Sequence, residues 1–354
     1  MQLDSYQNKA IDILLSLPQE EKKYLSFSGG KDSTALLGLA LLASKEGFTN
    51  WEVNHSDTLM EIPMMDAHIK ACMTLCESNR IKFNYLIPPV EDRFFIRMIG
   101  RGIPTPNRNF RWCTDNLKIK PQETYVKEEQ EIKELRRGKK KTYNRFIVIT
   151  GERLGESSKR DIKLKGECSS NNECGVTDIK TNDVFKQISR PLLNMSTCQV
   201  WDTLALLDIS EIVPDCFNIL ENIYSISEQT SKDSLRTGCI GCPLINKDQS
   251  LERFANAYPG YSPLKQLGSV YASFGIPENR IMRPDGKGKG AVLLSHRKAM
   301  YEQILQIEAE VQTRYPDFVL IHQEEKDAIN QALAEQRYPK GYSREYLLSV
   351  GAID

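Results

Sequence analysis

The sequence predicts an α/β fold, a parallel sheet with helices on both faces, followed by a C-terminal helical region. Three observations lead there. Short apolar runs alternate with helical stretches along the first half of the chain. The first apolar run passes directly into a Gly-rich turn and then a helix, and in such sheets ligands bind at the carboxyl ends of strands. After about residue 246 the pattern changes to helices separated by Pro/Gly loops. The expected division is therefore 1–245 for the sheet domain and 246–354 for the helical region. A chain of 354 residues is long enough to bury a core of that size.

Residues 4–17 read as an amphipathic helix, and Tyr24-Leu25-Ser26-Phe27 as the first strand. Ala35–Ala43 is apolar throughout and reads as a buried helix. Trp51–Asn54 is the second strand, 62–79 a helix, Lys82–Ile87 the third strand and Arg145–Gly151 the fourth. The polar stretch from 165 to 185 reads as loop, and 127–141, almost all Lys, Arg and Glu, as a solvated helix or exposed insertion. Helices are expected at 247–257, 295–314 and 325–336.

Lys plus Arg and Asp plus Glu each number 47, so the net charge says nothing about a polyanionic partner. Charge is uneven, however: residues 283–298 hold six basic residues and one acid. The first residues carry an early acid and no long apolar run, and no stretch approaches the roughly 18 apolar residues a membrane span needs. Nine cysteines without an export signal argue for a reducing, cytoplasmic setting, with thiols available for metal or chemistry.

Ser28-Gly29-Gly30-Lys31-Asp32-Ser33 lies between the first strand and its helix. The glycines allow a tight turn whose N–H groups approach a phosphate, and the helix offers its positive end. Ser28, Ser33 and Thr34 add hydroxyls, Lys31 adds charge, and Asp32 either holds a metal or orients the loop. The spacing is not that of the common P-loop. A strand–helix turn with an ordinary N-cap is the plain alternative.

S-G-G-K-D-S after a first strand resembles the signature of the PP-loop ATP pyrophosphatases, whose relatives include adenylating tRNA thiolases and PAPS reductases. That resemblance implies an adenine-nucleotide α-hydrolase, Rossmann-like fold and cleavage of ATP, with Mg2+, to AMP and pyrophosphate. The candidate nucleotide-binding residues are Ser26, Ser28, Gly29, Gly30, Lys31, Asp32, Ser33 and Thr34. Asp57-Thr58-Leu59-Met60-Glu61-Ile62-Pro63 resembles the D-T-G-x-E-x-P motif of PAPS-reductase-like proteins. Asp57 then joins Lys31 and Asp32 as a candidate catalytic group, reaching a metal or the ribose. Asp57 or Thr58 capping a helix with Glu61 in its first turn is compatible with that role. Gly151–Arg160 is similar to G-x-R-x-x-E-S-x-x-R, which makes Arg153 and Arg160 expected phosphate clamps, with Glu156 paired to one of them. His55 either faces the nucleotide or is structural.

Cys239-Ile240-Gly241-Cys242-Pro243 is a ligand pattern in its own right, because a tight C-x-x-C turn places two thiolates on one cation. Trp112-Cys113, with Lys118 and Pro121, resembles the superfamily motif in which the cysteine ligates an iron–sulfur cluster and the lysine faces phosphate or sulfate. The resemblance thus implies a 4Fe–4S cluster on Cys113, Cys239 and Cys242. Cys174 is the favoured fourth ligand, and Cys168, Cys216 or an open position are alternatives. Zinc and a redox disulfide remain rival readings of the pair. Cys72, Cys76 and Cys198 read as core.

Sulfonucleotide reductases of this superfamily carry a catalytic cysteine near the C-terminus, whereas here none follows Cys242. The segment Arg283–Ala291 with His296-Arg297 looks like the C-terminal part of the DNA phosphorothioation proteins DndC and SspD. That resemblance implies adenylation of a phosphate in single-stranded or nicked DNA, sulfur from a cysteine desulfurase, other phosphorothioation proteins as partners, and no membrane. A tRNA-thiolating sulfurtransferase, a PAPS or APS reductase and a non-catalytic scaffold for a desulfurase are the alternatives.

Overall fold

A computed structural model describes residues 2–137, 145–155, 161–162, 164, 176–180, 185–224, 238–245 and 248–353. Its contacts group the chain into two compact units. The first comprises 1–56, 63–86 and 122–237; the second comprises 57–62, 87–121 and 238–354. This division is not the linear one at 245/246, because two early segments cluster with the C-terminal part.

The first unit is built on a six-stranded sheet. Its strands are β1 (Lys22–Phe27), β2 (Trp51–Ser56), β3 (Phe83–Leu86), β4 (Phe146–Ile149), β5 (Val176–Lys180) and β6 (Phe185–Ser189). They run in the order β3-β2-β1-β4-β6-β5. Five are parallel, and β5 alone is antiparallel, at the edge against β6. The expected loop at 165–185 is therefore corrected at 176–180. These residues pair with β6 as the edge strand, a position at which apolar alternation is not required. Successive connections leave β1 and β4 toward opposite edges, so the topological switch point lies between them.

The helices of this unit include α1 (Ser5–Ser16), α2 (Lys31–Lys45), α3 (Pro63–Ser78), α4 (Lys120–Arg137), α5 (Thr197–Ile209) and α6 (Cys216–Tyr224). α2 packs on β1, α1 and α5, and every residue from Ser33 to Ala43 is buried. An all-apolar helix needs such all-round cover. Gly38 permits close approach of α5, since a Cβ there would overlap the Leu207 side chain. α4 covers the other face through Val126 and Tyr125, which pack on Tyr24, Phe146 and Val148. Cys72 and Cys76 are buried as expected, but Cys198 is exposed on α5, a correction to its placement in the core. Trp201, three residues on, is the one turned inward.

The second unit is mainly helical, with α7 (Gln249–Ala257), α8 (Leu267–Ser273), α9 (Leu294–Gln312), α10 (Gln323–Ala334) and α11 (Arg344–Ser349). A hairpin of β7 (Arg280–Met282) and β8 (Lys289–Val292) interrupts the helices, so the basic run is largely a β-turn and its flanks. Two π-helical segments, Ile96–Gly100 and Thr114–Ile119, lie in its early part. Phe94 stacks on Trp112 at 5.6 Å and meets Tyr271 edge-on at 5.2 Å, which forms an aromatic core. No helix among the described residues is long and apolar enough to cross a membrane.

Candidate functional site

The phosphate loop closes on itself in the first unit, at the switch point of the sheet. Gly29 has φ +76°, and a Cβ there would lie 2.6 Å from Ile69 Cγ1 and 2.9 Å from Met65 Sδ. Both the dihedral and the space exclude a side chain. Gly30 is the N-cap of α2, and the first-turn N–H groups that follow have no intrahelical acceptor. Gly151, just past β4, would place a Cβ 3.2 Å from the Asp32 carbonyl oxygen. Its lack of a side chain thus lets the end of β4 reach the start of α2.

The loop's hydroxyls stabilise its own shape. Ser33 Oγ donates to Gly30 O at 2.9 Å and lies 3.1 Å from Ser28 Oγ. Thr34 Oγ1 lies 3.1 Å from His68 Nε2, and burial holds the His68 pKa down at about 4. Lys31 Nζ donates to Asp32 Oδ2 at 3.0 Å and sits 5.3 Å from the centre of the Tyr224 ring. Ser26 on β1 bonds to Gln122 Oε1 at 3.1 Å. His55 is buried in the sheet, with Nδ1 3.0 Å from Phe27 O, which is the structural reading.

Arg153, an expected phosphate clamp, has three protein partners in this structure. It is buried, with Nε on Asp32 Oδ1, Nη1 donating to Met195 O at 3.0 Å and Nη2 to Thr197 Oγ1 at 3.3 Å. Each nitrogen thus has a protein partner, and the fork fixes Asp32. Arg160 and Glu156 lie outside the described residues. Glu152, which the sequence motif did not single out, accepts from Arg190 Nε at 2.9 Å.

The second unit carries the thiols. Asp57 does not cap a helix: its Oδ1 accepts from Leu59 N at 2.8 Å, and Leu59 has φ +59°. The carboxylate therefore closes a turn, and α3 begins only at Pro63. Glu61 accepts from Thr58 Oγ1 at 2.8 Å and Met60 N at 3.1 Å. Burial, then the neighbouring Asp57 charge, push its pKa up to about 7.

Thr58 Oγ1 is 3.6 Å from Cys239 Sγ, and Ile240 N donates to Met60 O at 2.7 Å. The C-x-x-C turn is pinned by Gly241 at φ +64°, where a Cβ would lie 2.9 Å from Leu267 Cβ and 3.0 Å from Tyr271 Cε2. Cys113, Cys239 and Cys242 lie within electrostatic range of one another, and burial raises all three thiol pKa values. Lys118 opposes that rise at Cys239, and its own pKa is held up chiefly by Cys239. In the π-helical segment residues five apart share a face, which sets Lys118 beside Cys113, a lesser cause of the same rise. Lys118 is thus a thiol neighbour in this structure.

Three thiols and a cation suit a soft metal or an iron–sulfur group by donor chemistry. Among the described residues, however, no group of three or more His, Cys, Asp or Glu is arranged closely enough to hold a metal ion. Cys174 and Cys168 lie outside the described residues, and Cys216 is buried in the first unit. Cys242 also lines a cavity of about 1180 Å³ bounded entirely by residues of the second unit, including the hairpin and the loop at 103–110. The cavity had no sequence signal, because its walls come from five separate segments.

Residues 22–212 match the family described as phosphoadenosine phosphosulfate reductase domain. The uncharacterized protein MJ0066 of Methanocaldococcus jannaschii is 25% identical over 296 residues, covering 77% of this chain and 49% of that protein. The chain thus spans about half the length of the curated relative it matches. Among solved structures, PAPS reductase from Candida auris in its phosphate complex is 15% identical, with TM-score 0.34, over 58% of this chain and 85% of that one. U34-tRNA thiolase NcsA from Methanococcus maripaludis, with its 4Fe–4S cluster, is 14% identical, with TM-score 0.33, over 84% and 87%.

Proposed function

The chain belongs to the phosphoadenosine phosphosulfate reductase domain family, and from that premise we propose that it is an ATP pyrophosphatase serving sulfur incorporation into DNA. The observation that carries the nucleotide half is the loop itself. Gly29 at φ +76° closes the turn and Gly30 caps α2, whose first-turn N–H groups lack intrahelical acceptors, an arrangement that favours polyphosphate. Lys31 and Asp32 stand intact in that loop.

In the proposed reaction an oxygen of the acceptor phosphodiester attacks the α-phosphorus of ATP. The new O–P bond forms as the bond from the α-phosphorus to the bridging oxygen breaks, and pyrophosphate leaves with the electron pair. Lys31 and the first-turn N–H groups of α2 stabilise that departing charge. Asp32 orients Lys31, and Arg153 orients Asp32. Magnesium bound with the nucleotide would supply further charge neutralisation. The outer sulfur of a persulfide from a cysteine desulfurase then attacks the activated phosphorus and displaces AMP, forming the S–P bond; a second thiolate attacks the inner sulfur, the S–S bond to the phosphorothioate breaks, and a disulfide is left behind. Cys113, Cys239 and Cys242 are the residues that would hold a 4Fe–4S cluster, which would supply a soft site for sulfur. The remaining phosphorothioation proteins are the expected partners, and Asp57 is an expected catalytic carboxylate.

Product analysis tests this reading. Incubation with ATP and single-stranded or nicked DNA yields AMP and pyrophosphate, and Lys31→Ala abolishes both. ADP and phosphate as products would overturn the cleavage site. Stimulation by tRNA and not by DNA would move the acceptor to RNA.

A further inference from the structure

The cavity of the second unit has a chemistry that the nucleotide loop does not explain. We propose that it binds an unpaired polynucleotide strand, with phosphates on the β7–β8 hairpin and a base against Phe110, and so presents the acceptor phosphate to Cys242. The inference rests on the nucleic-acid acceptor proposed above and assigns its place.

Size is the first ground. At about 1180 Å³ the cavity exceeds the usual range for a small-molecule pocket, about 300–1,000 Å³. Charge is the second. Its lining includes Arg97, Lys265, Arg280, Arg283 and Lys289, against the acids Asp248 and Glu252. Several of these cations are already engaged. Arg97 pairs with Asp92 at 2.9 Å, Lys265 donates to Asn256 Oδ1 at 3.1 Å, and Arg280 donates to the Gly290 and Lys289 carbonyl oxygens at 2.8 Å each. Arg283 and Lys289 stand exposed on the hairpin. The one acid within the hairpin turn, Asp285, accepts from Lys287 N at 3.0 Å and is folded into the turn. Burial and then the Arg283 charge hold the Arg280 pKa below its ordinary value, a positive field that an anion relieves.

The third ground is aromatic. Phe110 is 47% exposed, and its backbone is tied down. Asn107 Oδ1 accepts from Asn109 N at 2.9 Å and from Phe110 N at 3.0 Å, and Asn107 and Phe110 also exchange backbone bonds of 3.1 Å. Tyr342, also in the lining, accepts from Ala291 N through its hydroxyl at 2.9 Å and so is tied to the hairpin. Rings and exposed cations lining one cavity supply the combination of stacking and charge that holds single strands. A duplex keeps its base faces stacked inside and cannot use a ring in a concave wall. Cys242 lines the same cavity, which places a thiol of the trio within the proposed strand site.

Fluorescence anisotropy on the 354-residue chain tests the assignment with labelled oligonucleotides of about twelve nucleotides, within the site sizes of single-strand binders. Single-stranded DNA, single-stranded RNA of the same sequence and blunt duplex DNA are compared. The expected result is tighter binding of a single strand than of duplex. Arg283→Glu/Lys289→Glu should weaken it at least tenfold and flatten the salt slope by about 1.4, two phosphates at about 0.7 each. Phe110→Ala should weaken it with the slope unchanged. A preference for RNA supports the cavity and reassigns the acceptor. If single strands bind but both variants match the parent, the cavity assignment falls while the acceptor reading stands. If no oligonucleotide binds the parent chain, both fall.

Discussion

Arg153 Nε bonds to the same Asp32 carboxylate that receives Lys31 Nζ, across 121 positions of sequence. One carboxylate thus couples the loop after β1 to the loop after β4, the two strands that flank the switch point. Removing Arg153 leaves Asp32 largely buried without its second cation. Arg153→Ala should cost about 3 kcal/mol, the low end for a broken buried pair because Asp32 keeps some solvent. AMP release should fall more than tenfold. Arg153→Lys restores the charge but not the fork to Met195 and Thr197, so it should recover only part of either. Urea midpoints and AMP release measure both, and an unchanged midpoint for Arg153→Ala would remove the positioning role.

Gly29→Ala meets two penalties, positive φ and contact with Ile69 and Met65. Gly47 has φ +112° with nothing within 4 Å, so it isolates the first penalty. Gly47→Ala should cost about 1 kcal/mol and leave nucleotide binding intact. Gly29→Ala should cost more and abolish ATP binding by calorimetry. Equal effects of the two substitutions would show that the loop's close packing is irrelevant.

The thiol trio predicts a selective loss of metal. Anaerobic purification should yield iron and inorganic sulfide together. Each of Cys113→Ser, Cys239→Ser and Cys242→Ser should reduce them, whereas Cys198→Ser, at an exposed cysteine of the first unit, should not. Zinc without sulfide would sink the cluster.

His68 gives the first unit a pH dependence. Its folded pKa of about 4 lies below the ordinary histidine value because burial disfavours the cation. The unfolded chain therefore takes up a proton first as pH falls. Stability contributed by the neutral ring is present above about pH 6.5 and is lost progressively toward pH 4, by up to about 3 kcal/mol. His68→Gln should remove that part of the slope between pH 6.5 and 4. An identical slope in urea midpoints would count against it.

Much of the fold could be read from the sequence, because β1, β2, β3 and β4 are apolar runs bounded by turns and α2 is apolar on every side. The loop was legible for the same local reason: Gly29 and Gly30 state their backbone demands without help from distant residues. β5 was not, since an edge strand needs no apolar alternation, and neither was the hairpin of β7 and β8, whose turn of glycines and charges carries no strand signal.

What the sequence determined by itself is the chemistry available: a phosphate loop after β1, a C-x-x-C turn and a cysteine followed by a lysine five residues on. Tertiary structure decided what those groups do to one another. It turned Arg153 inward onto Asp32, moved Asp57 from a helix cap to a turn, set Lys118 among thiols and walled a basic cavity from five segments. The division has a physical cause. Backbone demands such as a positive φ are local and appear in residue type, whereas the partner of a buried charge is chosen by whichever distant group the packed fold brings within reach.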